Sequence, residues 1–572
     1  MTQTSNLATL IKFNFKYYLK PRFETKKDKR RYYILMGIIA ACLLVPLVSL
    51  IVGIYALIVS SQNIEATKGL LSSLFSASQI ATLIFGLTTY LQVMYLSKDK
   101  EILATLPVRP SEIFISKLLT VTVMEGLIST VLVIPSTIVI AIALGSIGAP
   151  VGIAYYLLIP VAVITLPLLV ILLISIIAFP AMKFYSFLKK HQTIGAILIV
   201  VLIVGLVMAI YIPLYTSMPS SSQTPPDGIP VDDTIPEEEA SQQEMNSTMD
   251  SIANIGGYMI HTKALVGAMF GENVGINLLI YFGITLGALA IGIGLSMLLY
   301  RSTLQSLDDN VTSSALVKKE YVESSVQRAL IKRELSVVGR DMAKLINLLM
   351  SYVMGPAIIF VMLFIMKMNS SGAAEGDALS MNAFSFGFAF GYGVFMIGGS
   401  NVGASAGMSF EGKSFAILKT LPVRGVDIFK AKLMVLDIGA MISILVSLII
   451  TLILVPGNII DIIGYIVCSV LTVGSLNAFA LFRDLKHPKL EWTIIKDITK
   501  NNMSTLIPLA VAIPEALLGI ALPIVFAIFI PNKYLASTIT WSILLVGALI
   551  YYFVLRHGVF AKVDKQFEEV EA

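Results

Sequence analysis

Charge is what this sequence has little of: Asp, Glu, Lys and Arg make up 13% of its 572 residues, while 56% are hydrophobic. Soluble domains carry about a quarter charged residues. So little charge could not cover a water-facing globule, and lipid is the expected solvent for the outer face. Cysteine is scarce too. Cys42 and Cys468 both sit in apolar runs, which excludes a disulfide framework. Four histidines occur, His191, His261, His487 and His557, all near span ends or in loops and none in a His-Glu-x-x-His pattern. An embedded zinc peptidase is therefore disfavoured, and nothing else points to an enzyme. A short secretory apolar segment is also missing. The basic stretch 1–31 leads into an apolar run at 32–58, longer than the roughly 7–15 residues of a signal core.

What the sequence has in abundance is long apolar runs. A helix needs about 20 apolar residues to cross the hydrocarbon. Such runs occupy 32–58, 69–95, 115–145, 151–180, 194–214 and 274–300, then 343–367, 382–407, 432–455, 460–481, 503–530 and 538–556. The expected fold is all-α: a polytopic membrane protein of about twelve transmembrane helices. Lys and Arg recur in 1–31, 96–114, 181–193, 301–342, 408–431, 482–502 and after 556, and are few or absent in the intervening loops. Basic loops face the cytoplasm, so both termini are expected inside.

Two of the basic loops match each other. Residues 98–118 read KDKEILATLPVRPSEIFISKL and 413–433 read KSFAILKTLPVRGVDIFKAKL, with twelve identities in twenty-one positions at a constant offset of 315. Leu106, Pro107, Arg109 and Phe114 recur as Leu421, Pro422, Arg424 and Phe429, and Glu112 as Asp427. A good helix start accounts for a first-turn proline and a capping serine. It does not account for a paired phenylalanine or arginine. The halves 32–300 and 343–556 are read as two parallel six-helix repeats, since an even number of spans separates equivalent helices. Segment 301–342 links them and 557–572 is a cytoplasmic tail. The loops are read as protein-docking segments, with Phe114, Phe429, Leu106 and Leu421 as anchors and Arg109, Arg424, Glu112 and Asp427 fixing register at a polar rim.

With these residues in view, the chain resembles the ABC-2 type exporter permeases. Three features carry the likeness: a basic amphipathic segment before span one, the phrase ILATLPVRPSEIFISKL between spans two and three, and a large outside loop at 215–273 between spans five and six. The resemblance implies the membrane subunit of an ATP-driven exporter in a bacterial plasma membrane. It implies that 98–114 and 413–429 each dock one copy of a separate cytoplasmic ATPase. ATP and Mg would then be held by that partner, with no cofactor, metal or nucleic acid on this chain. The two halves depart from each other outside, where 215–273 is long and its counterpart 531–537 is short. The alternative is an ion-coupled secondary transporter, which six-plus-six repeats also build.

Several features have two readings. Residues 407–414, GMSFEGKS, satisfy the P-loop spelling, but a P-loop needs a strand before it and an α/β domain around it. Chance is the simpler source. Glu125, Asp437 and Glu515 lie inside apolar runs, where ionisable groups are costly. They line a substrate path, or they pair with neighbours and snorkel, as Asp437 near a span end would. The acidic stretch 227–239 reads as solvated, and the first part of loop 215–273, to about 248, as disordered, with short helices expected over 249–270. Segments 6–22 and 320–340 read as interfacial helices, and Gly283/Gly287, Gly387/Gly391 and Gly403/Gly407 as close-packing pairs.

Overall fold

The computed structural model describes residues 7–18, 26–95, 97, 108–187, 259–295, 325–340, 342–369, 375–455, 457–492, 498–499, 502–530 and 532–570. Every regular element among the described residues is helical, as hydrocarbon demands of a backbone that finds no partners in lipid. Eight helices among them are long and apolar enough to cross a bilayer: Ile64–Met94, Ser129–Ser146, Ile153–Ile176, Val274–Gly294, Gly425–Leu454, Ile459–Lys486, Met503–Phe526 and Tyr534–Phe560. Together they make this a multi-pass helical membrane protein.

The other expected runs behave differently. The 32–58 run lies within one continuous helix, Lys26–Ser61, and the 343–367 run within Met342–Asn369. The 194–214 run lies outside the described residues. The 382–407 run corrects the expectation of a single span. It is a helix, Glu375–Gly393, a π-helical turn, Val394–Gly399, and a four-residue helix, Val402–Ser405, that Asn401 starts by accepting from the Ala404 amide at 3.3 Å. The hydropathy of 382–407 gave no sign of the break, because an average over the run dilutes Ser400 and Asn401.

The chain divides into two compact units. The first holds α1 (Leu7–Tyr18), α2 (Lys26–Ser61) from Ala41 onward, α3 (Ile64–Met94), α4 (Pro110–Ser146), α5 (Ile153–Phe187), α6 (Ile260–Met269) and α7 (Val274–Leu295). Here α3, α4 and α5 pack on one another, and α6 and α7 close on α3 and α5. Phe75, Tyr155, Leu166, Met269 and Tyr281 fill the centre. Short hydrogen bonds tie the helices across it, Ser78 to Ser129 at 2.6 Å and Tyr155 Oη to the Thr137 carbonyl at 2.9 Å. Helix α6 falls in the stretch where short outside helices were expected.

The second unit begins with the first residues of α2. It continues with α8 (Val326–Arg340), α9 (Met342–Asn369), α10 (Glu375–Gly393), α11 (Val402–Ser405), α12 (Phe415–Lys419), α13 (Gly425–Leu454) and α14 (Ile459–Lys486). It ends with α15 (Met503–Phe529), α16 (Lys533–Tyr551), α17 (Gly558–Phe560) and α18 (Val563–Glu569). Helix α13 packs on α9 and α14, α14 on α16, and α10 on α15. That last approach is close: a Cβ at Gly387 or Gly391 would lie 2.4 Å from a backbone oxygen of α15. Gly283 and Gly287, by contrast, meet no neighbour within 4 Å among the described residues. Within the expected tail, residues 558–569 are largely helical. Helices α17 and α18 bring Val563 and Phe567 into one buried cluster with Phe415 and Phe429.

Candidate functional site

The matched loops begin α4 and α13 in the same way. Arg109 and Arg424 hold the N-cap positions with φ/ψ of −74°/140° and −71°/147°. The acids come in the first turn of each helix. Glu112 Oε2 accepts from the Arg109 amide at 3.4 Å, and Asp427 Oδ2 accepts from Arg424 Nε at 3.1 Å. Carboxylates in a first turn also meet the positive end of the helix dipole, so both acids set the helix start. Amphipathic helices brace both starts. Helix α1 lies on α4, where Asn14 Nδ2 donates to Ser116 Oγ at 2.9 Å, and α8 lies on α13.

The phenylalanines correct the sequence reading. Phe114 and Phe429 are both 0% exposed. Phe429 meets Phe560 edge-on at 5.7 Å, in a cluster with Phe415, Leu418 and Leu481. A side chain without surface cannot anchor a partner, so the two rings support the loops from inside. Leu421 packs partly against the same cluster. Leu106 and Pro107 lie outside the described residues. What the second loop presents is Ile417, 64% exposed, with Thr420, Pro422 and Arg424; the first presents Arg109.

Beneath the second loop lies a buried charge cluster that the sequence did not reveal. Lys432, one of the repeated lysines, places Nζ 2.9 Å from Glu334 and 2.5 Å from Glu411. Arg333 reaches the same carboxylates at 2.7 and 3.3 Å, and Lys344 approaches Glu411 at 3.7 Å. Burial alone would push the Glu411 carboxyl up, but Lys432, Lys344 and Arg333 hold it down at about 2. The cluster joins α8, α9, α13 and the turn Ser409–Ser414. Lys117, the matching lysine of the first half, donates instead to the Val93 carbonyl and Ser97 Oγ, each at 3.0 Å. At the offset of 315, Glu334 and Glu411 stand opposite Leu19 and Leu96. Repetition therefore pointed to Lys432 and could not point to its partners.

The P-loop spelling at 407–414 folds as something else. The preceding element is the short α11, and Ser409–Ser414 is a 3-10 turn. Its leading amides, Met408 and Ser409, both donate to Asp484 Oδ2 at 2.7 Å, and Ser409 Oγ donates to Asp484 Oδ1 at 2.6 Å. These amides are thus taken by the protein's own carboxylate.

The carboxylates inside the spans have different surroundings. Glu125 lies on α4 in the first unit beside Gly86 of α3, and Glu515 on α15 in the second against Gly547 of α16. They are 1% and 2% exposed. Glu125 Oε2 and Glu515 Oε1 have no hydrogen-bond partner among the described residues. Asp437 is paired, with Arg556 Nη2 at 2.9 Å and Asn477 Nδ2 at 3.2 Å. Asn401 extends the chain, donating to Asn477 Oδ1 at 2.9 Å and to Tyr352 Oη at 3.2 Å. At the offset of 315 the positions opposite Asp437, Asn477, Asn401 and Tyr352 hold Thr122, Ala162, Gly86 and Gly37, so the residues of this polar chain do not recur at that offset. No family model, curated protein or solved structure matches the chain.

Proposed function

We propose that this chain is the membrane-spanning permease subunit of an ATP-driven exporter, moved by two copies of a separate cytoplasmic ATPase. The observation that carries the reading is the pairing of the two loops. Twelve identities recur at one offset, and the helix starts beyond them share an N-cap arginine, a first-turn acid, a buried phenylalanine and a buried lysine. Two similar handles on one chain suit a partner that is itself duplicated. On this reading the chain is a duplication of six spans, with its two matched loops and both termini on the cytoplasmic side. A handle must transmit displacement without yielding, and the charge cluster under 408–424, with α18 over 415–426, stiffens the second one. The partner-facing residues are Arg109, Ile417, Pro422 and Arg424, with Phe114 and Phe429 acting through the loops they support.

The test is co-purification. The chain expressed with its candidate ATPase should carry two nucleotide-hydrolysing subunits, and Arg109→Glu with Arg424→Glu should release them while the chain still inserts. Transport by the purified chain in vesicles without any ATPase would overturn the proposal. That outcome would favour an ion-coupled secondary transporter, for which the buried Glu125 and Glu515 without hydrogen-bond partners on one carboxylate oxygen are the supporting observation.

A further inference from the structure

A cleft in the second unit carries an inference independent of the docking loops. It lies between α13, α14 and the π-helical turn Tyr552–His557, with a volume of about 290 Å³. Met441, Ile444 and Leu471 form its apolar wall, and Tyr552, Arg556 and Asp437 its polar end. A π turn inserts an extra residue and re-aims the side chains beyond it. Here it turns Arg556 toward α14, where Gly474 leaves room: a Cβ at 474 would lie 2.6 Å from Arg556 Nη1.

Among the residues lining the cleft, Arg556 is the cation with donors to spare. Both Asp437 oxygens are engaged, Oδ1 by Asn477 and Oδ2 by Arg556. Arg556, with five N–H donors, makes the Asp437 contact alone among the described residues. An oxygen-rich anion complements such a fork. Outside the cleft, α13 continues as apolar surface through Ile438 and Ile442, which are 51% and 59% exposed. Acyl chains can lie there while a headgroup enters. Arg556 stands just before α17 and α18, at the end of the unit that carries loop 415–424, so the charged end of the cleft lies toward a headgroup region.

We propose that this cleft binds a bilayer phospholipid of net negative charge, its phosphate on Arg556 and its chains along the apolar wall. The measurement is native mass spectrometry of the purified full chain, titrated with phosphatidylglycerol in detergent, with glycerol phosphate and a cationic double-chain lipid as comparison probes. One phosphatidylglycerol should stay bound, and neither glycerol phosphate nor the cationic lipid should displace it. Arg556→Ala combined with Asp437→Asn, which leaves no unpaired charge, should weaken binding about tenfold or more, the effect of losing charge-assisted hydrogen bonds. Met441→Trp, which fills the cleft and spares the ion pair, should weaken it as well. Undiminished phosphatidylglycerol binding in both variants overturns the proposal, and so does displacement by glycerol phosphate alone or by the cationic lipid.

Discussion

Among single residues, burial separates those that hold the loop from those that face outward. Lys432 is 4% exposed and lies against two carboxylates. Removing one member of a buried ion pair leaves an uncompensated charge and costs about 3–5 kcal/mol. Lys432→Met should therefore lower the melting temperature in detergent sharply, and melting that matches the parent would show the cluster to be dispensable. Phe429→Ala, which empties a filled site, should cost about 3–5 kcal/mol as well. Arg424→Ala, at a solvent-facing position, should leave melting where it is. The pairing Arg109/Arg424 was readable from the sequence because both copies kept it. Glu334 and Glu411 were not, because the lysine they serve finds different partners in each half. Its contacts with them reach across 98 and 21 residues of chain, and no local pattern marks either.

At the scale of elements, the apolar runs named most of the helices correctly, since lipid leaves a spanning segment no other way to satisfy its backbone. The interruption at Ser400–Asn401 was not legible. Hydropathy averages over a window, whereas the break depends on one asparagine whose amide is met by Asn477 and Tyr352. Helix α6 offers a pH test. His261 Nε2 lies 2.9 Å from Gln79 Oε1, and burial pushes the imidazole down to about 4. A histidine lowered in the fold binds fewer protons than when unfolded, so its neutral form favours the packed helix fully above about pH 6.5. That contribution should fade as pH falls from about 6.5 toward 4. Protease protection of 259–273 should decline over that window, and His261→Gln should flatten the decline. A second element, α18, is fastened to the loop by Asp564 accepting from the Val426 amide at 2.7 Å and by Lys419 Nζ donating to the Glu568 carbonyl at 3.1 Å. Lys419 and Gly425 replace Ala104 and Pro110 of the other copy. Gly425 is where a Cβ would lie 2.7 Å from Phe567. Two departures from the repeat, Lys419 and Gly425, are thus positions that α18 uses.

For the whole molecule, the difference between the two units follows from chemistry that a comparison of the matched loops could not expose. Loop identities at one offset suggest twins, yet the residues that build the polar chain of the second unit have no counterparts at that offset in the first. Arg556, Asp437, Asn477, Asn401 and Tyr352 come from five different segments and meet along one line. This has a bearing on biogenesis. If these segments were released into hydrocarbon one by one, each would carry an amide, hydroxyl or charge with nothing to meet it. They are better held together beside the insertion machinery until the last has arrived. The second unit should therefore mature in the bilayer as a cohort, later than the first.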